Sequence, residues 1–441
     1  GGRSARTEEV EEILRPLLER AHAAGGHVQQ QALAHDVVRH AADAVAGPFD
    51  EHDARPPERA VAEESDRGEG AGEAGADDGA GGRASQRAGG PARAGATEIE
   101  DRGGEPRPAD ALEFHASRSR QACESSMRVS YHADYQLELP AAHPFPMSKY
   151  PLLRARLLVA GIVRERDVMT PAEAPLAWLA RVHTAEYLAK LESGALTQQE
   201  VRRLGVPWSP RLWRRSRLAV HGTYLAGRAA LEDGVAGNLA GGTHHAFAGH
   251  GEGFCVLNDV AIAIRQLQHE GAIERALVVD LDVHQGNGTA AIFEHDASVY
   301  TLSLHGARNY PLQKTRSTLD VGLPDGIADD DYLDALDAAL ARAFAAFAPD
   351  LVFYLAGVDV ARGDRYGKLA LTDDGVRRRD RCVVETVRSR GLPLAIVLGG
   401  GYAPTKDPTA ELHSFAFQEA AAFARGRSPT PHDGARAQLT T

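Results

Sequence analysis

An apolar run, "ALVV" (276–279), ends in Asp280, Asp282 and His284, one at every second position. Three other segments share this habit of ending in a reactive group. "NLAGGTHHAFAGHGEGF" supplies His244 and His245, "LVFYLAGVD" ends at Asp359, and "AIVLGGGY" ends at Tyr402. In an extended chain residues i and i+2 point the same way, so Asp282 and His284 are expected to hold one ion from adjacent rungs, with Asp359 closing the site from a neighbouring strand. Two carboxylates and one imidazole leave a coordination position open for water and substrate, as a catalytic Zn2+ requires; oxygen-rich ligation also suits Fe2+ or Co2+. Taken singly, each feature has a plainer reading. An Asp at a strand end caps the next helix, paired histidines arise by chance among 19, and three glycines make a turn. Four such ends together point to one metal-centred site.

A scaffold has to bring these ends to one place. Helical apolar spacing covers 148–160, 211–232, 256–271, 330–348, 373–390 and 409–424. Between these lie apolar runs that read as strands, at 275–283, 298–304, 350–357 and 393–401. Strands apolar on both faces that alternate with helices predict an α/β, doubly wound, mostly parallel sheet covered on both sides, with ligands outside the carboxyl ends of the strands.

The chain divides unequally. Within residues 1–126, "EEVEEILRPLLERAHAA" (8–24) has the spacing of an amphipathic helix, whereas 50–110 is Gly-, Ala- and charge-rich with few large apolar residues, a composition that predicts disorder. The first methionine is Met127, a candidate native start, with 1–126 either a mis-set start or fusion remnant or a genuine disordered tail. Residues 127–425 form the expected catalytic domain and 426–441 a disordered end. A net charge of -12 argues against direct nucleic-acid binding. Cys123, Cys255 and Cys382 suit neither a disulfide framework nor a cysteine zinc site. No apolar run approaches the ~20 residues of a membrane helix and no signal peptide is evident, so a cytoplasmic protein is expected. Oligomeric state leaves no signal.

The motifs "GGTHHA" (241–246), "GEGFCVLND" (251–259), "DLDVHQGNG" (280–288), "LAGVDVARGDRYG" (355–367) and "GGGY" (399–402) resemble, in order, those of the histone deacetylase superfamily, of arginase–deacetylase fold. "HQGNG" followed by "SLHGARNYP" is most similar to class IV and bacterial members. The resemblance implies a zinc-dependent amidohydrolase acting on N-acyl-lysine or a related acylated amine. It implies that Asp282, His284 and Asp359 hold the metal, that His244 and His245 are the tandem histidines with His245 the main general base and acid, and that Tyr402 donates to the oxyanion. Asp280 would support His244 and Asn287 would support His245. Phe254, beside Gly253, would wall the acyl-lysine tunnel. Asp280, Asp282, the His284 backbone, Ser303 and the Leu304 backbone match a structural K+ site.

The chain departs from the family pattern in places. Gln285 and Asn287 stand where many members carry His and Asp, and a neutral Asn287 is expected to leave the His245 pKa modestly lower than a carboxylate would. Tyr366 replaces a more usual Leu near the expected tunnel mouth, and Tyr310 is a candidate for the opposite wall. Alternatives within or beside this reading are an acetylpolyamine or small-metabolite amidohydrolase, an arginase-like di-manganese ureohydrolase, and a non-catalytic metal-binding pseudoenzyme. The arginase reading needs a bridging Asp where this chain has Gly286, and an Asp where it has Thr243. A pseudoenzyme would be expected to lack Tyr402 or one of the ligands, and all are present.

Overall fold

In the computed structural model, residues 127–140, 142–403 and 406–426 are described. Eight strands form one sheet: β1 (Arg128–Ser130), β2 (Val168–Met169), β3 (Val235–Asn238), β4 (Ala276–Asp280), β5 (Val299–Gly306), β6 (Leu319–Leu323), β7 (Leu351–Leu355) and β8 (Leu394–Val397), in the order β2-β1-β3-β8-β7-β4-β5-β6. Every pairing between them is parallel. The central strands β3, β8, β7 and β4 are buried along their whole length. That explains why they are apolar up to the polar residues that end β3 and β4: helices cover both faces, so neither set of alternate side chains meets water. Beta6, at the edge, instead alternates buried ends with exposed positions.

The helices start and stop where local chemistry dictates. Helix Pro210–Asp233 opens with Ser209 accepting from the Leu212 amide and Pro210 in the first turn, and ends at Gly234 in the left-handed conformation. Helix Asp373–Arg388 is capped by Thr372. The spacing placed a helix from 256, but it begins at Asp259, because Asn258 serves as its cap by accepting from the Ala261 amide at 3.0 Å. Two apolar layers, one on each face of the sheet, hold the strands between them.

One expectation needs correcting. Beta4 stops at Asp280, and residues 282–284 form a bend rather than further rungs. The ladder ends because side chains take over the backbone donors: the Asp282 amide donates to Asp280 Oδ1 (3.1 Å), the Val283 amide to Asp359 Oδ1 (2.9 Å), and the His284 amide to Asp282 Oδ1 (3.0 Å). Aspartates that accept from the backbone two residues on make Asx turns, which compete with the sheet. The i, i+2 spacing of Asp280, Asp282 and His284 comes from these turns and not from the pleat. The expectations for 1–126, including the helix at 8–24, and for most of 426–441 lie outside the described residues.

Candidate active site

Each reactive segment leaves a strand at its carboxyl end. The turn after β3 is shaped by Asp259, whose carboxylate accepts from the amides of Gly242 (3.1 Å) and Thr243 (2.7 Å). The Thr243 hydroxyl is spent on the same carboxylate and on the Leu257 carbonyl, behind the site. Beneath the turns after β4 and β7 lies Arg379, a fully buried guanidinium that donates to the carbonyls of Leu281 and Gly357 and pairs with Asp380 at 2.7 Å. One side chain thereby fixes the backbone next to both Asp282 and Asp359. The glycine turn after β8 brings the Gly400 amide to within 2.6 Å of Asp282 Oδ2. A Cβ at Gly400 would overlap Asp359 Oδ2, which is why the chain has glycine there.

Asp282, His284 and Asp359 meet in this frame, with one donor atom from each lying within 4.8 Å of the others. Both carboxylates are essentially without exposure. His284 Nδ1 lies 3.0 Å from Asp282 Oδ1 and 3.1 Å from Asp359 Oδ2. A single Nδ1 proton cannot serve two carboxylates well, and Asp359 Oδ2 is left buried with no hydrogen bond among the described residues. Burial and the neighbouring charge of Asp282 push Asp359 up to about 7. An orphaned carboxylate oxygen and crowded negative charge around an imidazole nitrogen are what a divalent cation would relieve, so the donor set fits a metal.

The histidine pair stands beside this cluster, its rings 4.1 Å apart. His244 Nδ1 is 2.7 Å from Asp280 Oδ2, and His245 Nδ1 is 2.7 Å from Asn287 Oδ1. Burial lowers the affinity of His244 for a proton, but the charges of Asp280 and Asp282 prevail and hold it up at about 9. His245 is held well below its usual range by burial, then by the charges of His244 and His284, with the Asn287 hydrogen bond acting the other way. Two adjacent imidazoles pushed apart in this way suit different tasks, one charged and one basic.

Aromatic rings surround the approach. Tyr402 packs edge-on against Phe145 (5.9 Å) and Tyr366 (5.0 Å) and tilted against Phe254 (6.0 Å). Its amide donates to Asp364 Oδ2 at 2.6 Å. Phe254 has φ 69, a conformation that costs a bulky residue about 1–3 kcal/mol and collects at functional sites. Gly253 precedes it because any Cβ there would sit 2.6 Å from the His245 ring. Tyr310 stands edge-on to His245 at 5.0 Å and is 41% exposed, and Tyr366 is 38% exposed. Ser303, on β5, is the register partner of Asp280, with Leu304 next to it.

Four neighbours were not singled out as site residues from the sequence. Lys149 is fully buried, donates to the Gly399 carbonyl at 2.9 Å, and lies 6.0 Å over the Tyr402 ring. Cys255 and Arg215 line a cavity of about 40 Å3 that opens beside Tyr402, His244 and His245. Glu252 receives the Asn287 amide at 2.7 Å. "GEGF" held the one available signal, an acid two residues before Phe254; a lone Lys in "SKY" gives none.

Comparison with known proteins bears on these residues. Residues 143–416 match the histone deacetylase domain. An uncharacterized protein of Picosynechococcus sp. is 50% identical over 275 residues, 62% of this chain and 92% of that one. Histone deacetylase 2 of Arabidopsis thaliana is 33% identical over 290 residues, 63% of this chain and 75% of that one. The crystal structure of the HDA15 HD domain superposes with a TM-score of 0.58 at 26% identity, covering 70% of this chain and 90% of the other. The matched segment takes in the histidine pair, all three candidate ligands and Tyr402, and exceeds half of the sequence: the chain belongs to the histone deacetylase family.

Proposed function

We propose that the protein is a metal-dependent amide hydrolase that removes short acyl groups from N-acyl-lysine, with Zn2+ the expected metal and Fe2+ the alternative. The observation that carries this reading is the pairing of a three-donor cluster, in which Asp359 Oδ2 has no partner, with two histidines anchored through Nδ1. Asp282, His284 and Asp359 would hold the ion. When bound, it supplies Lewis acidity to a carbonyl and lowers the pKa of a water. The chain's own residues do the rest. His245, with Nδ1 engaged by Asn287, has Nε2 available to take a proton from the attacking water and pass it to the leaving amine. His244, kept charged by Asp280, adds positive potential where negative charge develops. The Tyr402 hydroxyl would donate to that oxygen. A K+ ion at Asp280, Asp282, Ser303 and the backbones of His284 and Leu304 would offset the repulsion of the two aspartates.

Two observations bear on substrate. The cavity of about 40 Å3 beside Tyr402 and the histidine pair has room for about three waters, so a short acyl group is the substrate to test first. The loops that carry Tyr310 and Tyr366 hold Arg308, Lys314, Arg316, Arg362, Arg365 and Lys368 near three acids: Asp325, paired with Arg308 at 2.8 Å, Glu252, which accepts from Tyr310, and Asp364, whose oxygens are spent on the amides of Tyr366, Gly367 and Tyr402. A basic rim on a chain of charge -12 disfavours a polycation and supports a peptide over an acetylpolyamine. The arginase alternative fares worse, since Thr243 is engaged behind the site and a Cβ at Gly286 would overlap Asp280 Oδ2. Among the described residues no helix is long and apolar enough to cross a membrane. The test is kcat/KM for acetyl-lysine peptide, myristoyl-lysine peptide and acetylpolyamine, together with metal content and Tyr402→Phe as control. Wild-type turnover by Tyr402→Phe would overturn the mechanism; bound metal with no turnover of any acyl amine would favour the pseudoenzyme.

A further inference from the structure

Glu252 has two donors on one oxygen. Its Oε1 accepts from Asn287 Nδ2 at 2.7 Å and from the Tyr310 hydroxyl at 2.7 Å, while Oε2 lies 3.4 Å from His250 Nε2. The side chain is 13% exposed. Burial opposes its charge, but the hydrogen bonds from His250, Asn287 and Tyr310 prevail and hold it down at about 2, so it is ionised at neutral pH. An ionised carboxylate only accepts hydrogen bonds.

That fact decides the orientation of Asn287. The amide must turn its NH2 toward Glu252, which leaves its carbonyl Oδ1 facing His245 Nδ1. A carbonyl oxygen can only accept, so the neutral imidazole must carry its proton on Nδ1 and keep the Nε2 lone pair free. Without the carboxylate, Asn287 could turn over and donate to Nδ1, which would place the proton on Nε2 and leave no base facing the substrate. An Asp at 287 would need no such partner, because both its oxygens accept.

We propose that Glu252 is a positioning residue that sets the Nδ1-protonated tautomer of His245 by fixing the Asn287 amide, and that it hangs Tyr310 of the tunnel rim on the same oxygen. The carboxylate that a neutral Asn287 lacks is thus supplied one hydrogen bond further out. The inference rests on the reading of His245 as the general base.

The test uses the metal-loaded full chain. Glu252→Met should lower kcat by about 10- to 100-fold with KM little changed, since it spoils a general base worth about 10²–10⁴. Glu252→Gln keeps an oxygen that can receive both Asn287 and Tyr310 but adds an NH2 that permits the turned-over amide, so its kcat should fall between those of Glu252→Met and the wild type. Asn287→Asp in the wild-type background sets two carboxylates face to face and should lower kcat; in the Glu252→Met background it should raise it. A merely structural role for Glu252 predicts no such reversal. Independently, 15N-histidine NMR of the wild type, with His245 assigned by comparison with His245→Gln, should show the Nδ1-protonated form. Proton on Nε2 in the wild type overturns the proposal, whatever becomes of the variants. So does retained kcat in Glu252→Met. A wild type without turnover would instead sink the deacylase reading, while the NMR result still decides the tautomer.

Discussion

Gly286→Ala tests how tightly the histidine pair is built into the turn after β4. Gly286 has φ -72 and ψ 65, so its backbone imposes little demand for glycine. The demand is spatial. A Cβ there would overlap Asp280 Oδ2 and lie 3.2 Å from both Cβ and Nδ1 of His244. Asp280 has no easy retreat, because Oδ2 is 2.7 Å from His244 Nδ1 and Oδ1 accepts from the Asp282 amide. The new methyl therefore breaks or stretches a buried, charge-assisted hydrogen bond worth about 1.5–3 kcal/mol. If that energy orients His244 for the reaction, kcat/KM falls by about 10- to 150-fold. The assay is hydrolysis of an acetyl-lysine peptide by protein matched for metal content, with Gly249→Ala as control, since a Cβ at Gly249 meets nothing within 4 Å. Activity within about twofold of wild type, at full metal content and unchanged melting temperature, would refute the claim that the Asp280–His244 bond matters to catalysis.

Asp359→Asn should have opposite effects on the two forms of the protein. Metal content and turnover fall, while the chelated protein melts a few degrees higher, because the buried repulsion between Asp282 and Asp359 is gone; melting with and without chelator checks both. Lys149 is pushed down to about 8 by burial, against the pull of Asp359 and Asp282. A folded value below the unfolded one means that the unfolded chain holds more protons between about pH 8 and 10.5, so stability rises with pH across that window. Lys149→Met should remove about 3 kcal/mol of that rise, read from urea melts at pH 7.5 and 10. On substrate, acetyl-lysine flanked by Asp or Glu should be preferred over the same peptide flanked by Lys, and the preference should shrink as salt rises or when Arg362 and Arg365 are both changed to Glu.

How legible all this was in the sequence depended on the kind of contact involved. Beta4, β7 and β8 could be read because strands buried on both faces are uniformly apolar. Beta1 has three residues, β3 reads "VAGN" with little bulk, and β6 alternates at an edge, so none left a pattern strong enough to notice. Asp282, His284, Asp359 and Tyr402 were visible because chemistry restricts which residue types can end such strands. Their geometry was not. The i, i+2 spacing suggested a pleat, whereas hydrogen bonds from the backbone to Asp280, Asp282 and Asp359 had already ended the strand. Glu252 stayed hidden for a related reason: its partner Asn287 is 35 residues away, and only the fold brings the two together.

Those same Asx turns carry a consequence for redesign. Asp282 gives one oxygen to the His284 amide and the other to the Gly400 amide, and Asp359 gives Oδ1 to the Val283 amide. The candidate metal ligands are therefore also fasteners of the loops that present them. Re-tooling the centre for a softer ion by exchanging an aspartate for histidine or cysteine would alter the donor and unfasten a loop in one stroke. The substitution would have to bring a new acceptor for the orphaned amide, and the glycine turn at 399–401 cannot supply one, because a Cβ at Gly400 would overlap Asp359 Oδ2. If these residues hold a metal, its preference would for that reason be better tuned from the residues behind them, at Arg379 or Asp364, than at the candidate ligands themselves.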